Sequence, residues 1–198
     1  MNENAFRISA TIILLSAIGI SIYFRSKADR ESGERVSWKD EGLPMILALR
    51  LGGLVLWFSA LAYLINPAWM AWARAGLPGA VRWSGIGAGA VCVALIYWLF
   101  SSIGAGISPT VATRREHRLV THGPYRWVRH PLYPVATALF LSFAAAADNW
   151  FIAVLAIFAL ILLAARVPNE EAHLIEKFGD EYRQYMKRTG RFLPRLKS

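Results

Sequence analysis

Four long apolar stretches divide the chain. Residues 6–24, Leu43–Ile65 and 81–100 each run for about 20 residues almost without charge. A helix of that length, rising ~1.5 Å per residue, crosses a ~30 Å hydrocarbon core. The fourth stretch, 132–165, is too long for one crossing, and Asp148-Asn149 interrupts it near its middle. It reads as two helices, 132–147 and 150–165, joined by a tight turn. The pattern predicts an all-α, polytopic integral membrane protein of about five transmembrane helices. A single membrane-embedded domain is expected over residues 1–198.

Between the spans the pattern changes. Residues 25–41 mix acidic with basic side chains and read as a solvated loop. Residues 66–79 carry Pro67, Gly76, Pro78 and Gly79, an irregular loop with a short interfacial helix over 68–75. The glycine-rich run 84–90, SGIGAGA, lacks the strand that a phosphate loop requires and reads as a surface for close helix packing. After the last span, Leu174, Ile175, Phe178, Tyr182, Tyr185 and Met186 recur at helical spacing among charges. This predicts an amphipathic cytoplasmic C-terminal helix, interrupted near Phe178-Gly179, with a bend at Pro168.

Composition agrees: 56% of the 198 residues are hydrophobic, above the ~45–50% usual for soluble domains. The net charge of +9 is placed by topology. Arg25, Lys27, Arg30, Arg35 and Lys39 follow the first span; Arg114, Arg115, Arg118, Arg126 and Arg129 follow the third; a third basic group follows the fifth. The other connections hold only Arg74 and Arg82. The positive-inside rule then puts the N-terminus outside and the C-terminus in the cytoplasm, and nucleic acid is not expected as a partner. Trp69, Trp72, Trp83 and Trp150 fall at the predicted outer ends, as an aromatic belt does. The first apolar run is too long for a signal peptide and has a basic flank, so it is read as a retained helix. The lone Cys92 and the spacing of His117, His122 and His173 give no metal site.

The chemistry concentrates in two segments. The first, 117–133, reads HRLVTHGPYRWVRHPLY, and about 35 residues on comes 166–185, RVPNEEAHLIEKFGDEYRQY. Ionisable groups this dense at a membrane edge are costly and point to a functional site. Gly123-Pro124 forms a turn, and Pro131 opens the fourth span as its first helical residue, with Tyr125, His130 and Tyr133 around that opening. Free backbone N–H groups at such a helix start favour a carboxylate. Arg166 and Glu170, four apart, share one helix face and offer a cation and an anion. Taken singly, Tyr125 and Tyr133 also suit interfacial anchoring, and Glu170 and Glu171 suit solvated acids at a helix start. Arg50, about two turns into the second span, either snorkels to the headgroups or meets a substrate carboxylate.

The order and spacing HxLVTxGPYxxxRHPxY…RxxxEExxLxxxFGxEYxxY resembles the isoprenylcysteine carboxyl methyltransferase family, within a wider group that includes phospholipid methyltransferases. The resemblance covers about residues 108–196 and looks most like short prokaryotic members, placing the chain in the inner membrane. Where many relatives have Gly two residues after the Tyr of RHPxY, this chain has Pro134-Val135. The resemblance implies S-adenosyl-L-methionine as cofactor, bound by His117, Arg118, Leu119, Val120, Tyr125, His130, Pro131, Leu132, Tyr133 and Glu170, with Thr110 upstream. It implies Arg166 as the acceptor-binding residue, and Arg166 and Glu170 as the catalytic pair. The implied reaction methylates the C-terminal carboxylate of an S-prenylcysteine, or of a similar lipophilic small molecule or prenylated peptide. Phospholipid amines and small thiols are alternative acceptors, and a non-enzymatic lipid-binding protein is the alternative to an enzyme.

Overall fold

A computed structural model describes residues 3–32, 43–103 and 119–195. Six α-helices follow in order: α1 (Glu3–Ser32), α2 (Leu43–Ile65), α3 (Gly79–Ile103), α4 (Leu132–Ala146), α5 (Trp150–Phe178) and α6 (Asp180–Arg188). Short 3-10 helices lie at Pro67–Ala73 and Gly123–Arg126. No β-strand occurs among the described residues. In the bundle α3 packs on α1 and α4, α4 on α5, and α5 on α2.

α1, α2, α3 and α5 are long and apolar enough to cross a membrane. The expected fifth crossing is shorter: α4 has 15 residues, about 22 Å at ~1.5 Å per residue. Large apolar side chains cover the outside, with Ile12, Leu15, Leu51, Phe58, Val91 and Ile161 each about three-fifths exposed. The buried contacts are small by comparison. A Cβ on Gly85 would stand 2.8 Å from the Ser142 carbonyl oxygen and 3.0 Å from Ala145 Cβ, so α3 and α4 approach there to backbone contact. Small residues at such crossings let helices associate in lipid, where water supplies no hydrophobic drive. An apolar exterior around close-packed small residues identifies an integral membrane protein.

A polar clamp closes one end of the bundle. Arg82, 4% exposed, donates to both oxygens of Glu3 at 2.9 and 2.8 Å and to the Ala146 carbonyl at 2.9 Å. The Tyr63 hydroxyl donates to Glu3 Oε1, and the Arg82 guanidinium lies 3.9 Å from the centre of the Phe6 ring. One residue expected to be a loop charge thus joins α1, α2, α3 and α4. At the same end Asp148 takes a left-handed conformation (φ 53°), its Oδ1 accepts from the Leu77 N–H, and the Asn149 side chain caps α5 by accepting from the Ile152 N–H. The four tryptophans of the expected outer belt lie exposed here.

Two other expectations are corrected. α1 continues to Ser32, so the first part of the expected loop 25–41 is helix; apolar length sets the membrane crossing, not the helix end. Pro131 caps α4 rather than beginning it. α5 runs as one helix through the exposed Pro168, and the chain turns at Gly179 (φ 56°) before α6, at the Phe178-Gly179 break expected from sequence. Pro134 lies in the first turn of α4, where a missing N–H leaves no helical bond unmade.

Candidate active site at the end of α5

Opposite the clamp, the start of α4, the last turns of α5, α6 and the segment 190–193 converge. Gly123 lies beside Ser102 at the end of α3, and the turn Gly123–Arg126 buries Pro124 and Tyr125. Tyr125 is held from below, because the Tyr185 hydroxyl of α6 donates to its carbonyl oxygen. Burial pushes the Tyr185 phenol up to about 12 and raises those of Tyr125 and Tyr182, so all three stay protonated. The amphipathic spacing of α6 therefore encodes a docking face, with Tyr182 and Tyr185 inward.

Two of the expected residues meet across the helices. The Tyr133 hydroxyl donates to Glu170 Oε2 at 2.7 Å. The His130 ring lies parallel to Tyr133 with centres 5.8 Å apart, and its Nδ1 stands 3.8 Å from the same Glu170 oxygen. Arg166 is buried one turn before Glu170 on the unbroken α5, so the shared face expected from their spacing exists. Pro131 is buried, while Leu132, Leu119 and Val120 are partly buried. Arg50 lies exposed on α2, the helix that packs beside α5. Thr110, His117 and Arg118 lie outside the described residues.

Residues beyond that set also build the site. Glu171, expected to be a solvated acid, is 3% exposed. Its Oε1 accepts from Arg129 Nε at 2.8 Å and lies 3.4 Å from His130 Nε2, and its Oε2 accepts from Arg191 Nη2 at 2.7 Å. Arg129 also donates to the carbonyls of Met186 and Thr189. The segment after α6 pairs with the one before α4: Gly190 N–H donates to the Trp127 carbonyl, Arg129 N–H to Gly190, and His130 N–H to Arg191. A side chain on Gly190 would overlap the Leu193 carbonyl oxygen, so glycine is required. Phe192 is thereby brought beside His130 and Tyr133, ring centres 6.3 and 6.4 Å away. Neighbouring acids point about 100° apart on a helix, and that difference separates the half-open Glu170 from the enclosed Glu171.

This geometry lies largely within a segment of known type. The sequence model of the isoprenylcysteine carboxyl methyltransferase family matches residues 87–176. A protein-S-isoprenylcysteine O-methyltransferase of Schizosaccharomyces pombe is 38% identical over 96 residues, 46% of this chain and 40% of that protein. The bundle also matches the solved structure of a eukaryotic intramembrane Ras methyltransferase (isoprenylcysteine carboxyl methyltransferase). The TM-score is 0.58 at 19% identity, over 94% of this chain and 67% of the other. Over residues 87–176 the chain is similar to the isoprenylcysteine carboxyl methyltransferase family. The matched segment begins inside α3, ahead of the motifs read from sequence, and ends before the Phe178-Gly179 break. A methanethiol S-methyltransferase of Bradyrhizobium diazoefficiens is 39% identical over 80 residues, 35% of this chain and 24% of that protein. The chain thus spans about two fifths or less of the length of these two relatives.

Proposed function

We propose that the chain transfers a methyl group from S-adenosylmethionine to the carboxylate of an S-prenylcysteine or similar lipophilic acid, at the cytoplasmic face of a prokaryotic inner membrane. The observation that carries this reading is the buried Arg166 one turn before the Tyr133-bonded Glu170, inside the family-matched segment. The donor set fits the cofactor. It offers a half-open carboxylate for the cationic end, aromatic rings from His130, Tyr133 and Phe192, and the buried wall of Tyr125. When bound, S-adenosylmethionine supplies a methyl group made electrophilic by its sulfonium.

The chain's residues then have separable roles. Glu170 holds the cation, with Tyr133 fixing its carboxylate orientation. Arg166 binds the acceptor carboxylate and aligns one oxygen for in-line attack. That carboxylate is already ionised at neutral pH, so no general base is required. Burial of Arg166, His130 and Tyr125 keeps water from the reacting centre. Leu119, Val120, Pro131 and Leu132 are further cofactor contacts in this reading, and the acceptor's lipid chain lies among the helices within the bilayer.

The likeness to a methanethiol S-methyltransferase favours a small thiol as second reading. A thiol with an ordinary pKa of about 8.5 is mostly protonated at neutral pH and would need His130 as base. Isolated membranes given radiolabelled S-adenosylmethionine with a prenylcysteine analogue, phosphatidylethanolamine and a small thiol in parallel separate the readings. Label on the prenylcysteine analogue alone is expected; label on the thiol or the amine lipid instead would replace the carboxyl reading.

A further inference from the structure

We propose that Glu171 is a positioning residue that latches the strap 190–193 over the site, making that strap one wall of the cofactor site. The role toward the cofactor rests on the function proposed above; the latch itself does not.

Three chain segments meet on this one carboxylate. Arg129 and His130 come from the approach to α4, Arg191 from the strap, and Glu171 from α5. The two oxygens serve different segments, with Oε1 facing Arg129 and His130 and Oε2 facing Arg191. Buried charges on such a hub are costly unless paired, and their best-attested use is to fix one arrangement among several. Here the arrangement fixed is the position of the strap. Its backbone bonds stop at His130 N–H and Arg191 O, and next in the chain comes Phe192. That ring closes the group of His130 and Tyr133, whose partner is Glu170.

The two ends of the latch differ. The Arg129 side chain is 8% exposed and also serves Met186 and Thr189, so it is bound into the fold. The Arg191 side chain is 44% exposed, so its hold on Glu171 opens without dismantling the core. The strap is thus held by backbone pairing at Gly190 and by the side chain of Arg191. Sequence-adjacent acids then divide the work: Glu170 faces the ligand space, and Glu171 holds the wall beside it.

The test uses the full detergent-purified chain and two readouts. Hydrogen exchange without cofactor follows the amides of Gly190 and His130 in the unsubstituted chain, Glu171→Gln and Arg191→Met. Arg191→Met keeps every buried partner of Glu171 and guards against loss of folding in Glu171→Gln. Faster exchange at these two amides is expected in both variants, with α3 unchanged. Calorimetry with S-adenosylmethionine is expected to show weaker binding, by about tenfold if the docked strap falls to a tenth of the population. The double variant is expected to be no weaker than the worse single one, and Arg191→Lys to recover part of the affinity. Unchanged exchange at Gly190 and His130 overturns the latch. Loosened strap amides with unchanged affinity overturn the strap as a wall of the site. If the unsubstituted chain binds no S-adenosylmethionine, the proposed function fails, and the exchange pattern still decides the latch.

Discussion

Tyr133 in the first turn of α4 donates its hydroxyl to Glu170 in the last third of α5, at 2.7 Å. The bond joins the two sequence motifs at their ionisable centre and leaves the second Glu170 oxygen for another partner. Glu170→Gln is expected to weaken S-adenosylmethionine binding by about 1.5–3 kcal/mol, the range for a hydrogen bond to a charged group. Tyr133→Phe, which removes only the orienting bond, is expected to cost less. Calorimetry on purified protein measures both, and an unchanged affinity in folded Glu170→Gln returns that residue to an ordinary helix acid.

Arg82 governs stability from the far end. Arg82→Met leaves the Glu3 carboxylate with the Tyr63 hydroxyl and the more distant charge of Arg74, and frees the Ala146 carbonyl. Breaking a buried pair costs about 3–5 kcal/mol, and the 30% exposure of the Glu3 side chain places this case at the low end. Thermal unfolding in detergent is expected to shift down, while affinity for S-adenosylmethionine stays as in the unsubstituted chain. A stable Arg82→Met would show that the clamp does not hold the bundle.

The arrangement of basic residues predicts an external N-terminus. The clamp and the candidate site lie at opposite ends of α3, so the site then faces the cytoplasm. A cysteine at Gly79 is expected to react with an impermeant label from outside, and one at Ser32 only after permeabilisation. The reverse pattern would put the site on the side without cofactor.

Much of the fold is legible in the sequence because membrane crossing depends on local apolar length. The spans, the Asp148-Asn149 turn, the close packing at Gly85 and the break at Gly179 all follow from local pattern. The pairing of Arg82 with Glu3 does not, since 79 positions separate them and a charge near a helix start looks like a loop charge. The Glu170-Glu171 pair is legible as acidic and not as divided, because only the packing of α6 and the strap distinguishes two adjacent helical positions. Arg129 is legible as part of the RHPxY motif but its partner is not, since Glu171 comes from the other motif, and Phe192 lies outside both motifs although its ring partners His130 and Tyr133 are in the first.

In the proposed function, acceptor choice turns on Arg166. Arg166→Ala is expected to lose turnover while keeping its affinity for S-adenosylmethionine, measured by assay and calorimetry on one preparation. Lysine is expected to restore little, because a point charge does not reproduce a bidentate fork. Full activity of Arg166→Ala on a prenylcysteine analogue would remove the residue from the site.

The most direct measurement compares one acceptor in two forms. The purified chain is given radiolabelled S-adenosylmethionine with an S-prenylcysteine analogue bearing a free carboxylate, and with the methyl ester of the same analogue. The account predicts a base-labile labelled ester from the free acid and no product from the ester. Equal labelling of both forms would contradict it, since the methyl group would then be going to an atom other than the carboxylate oxygen.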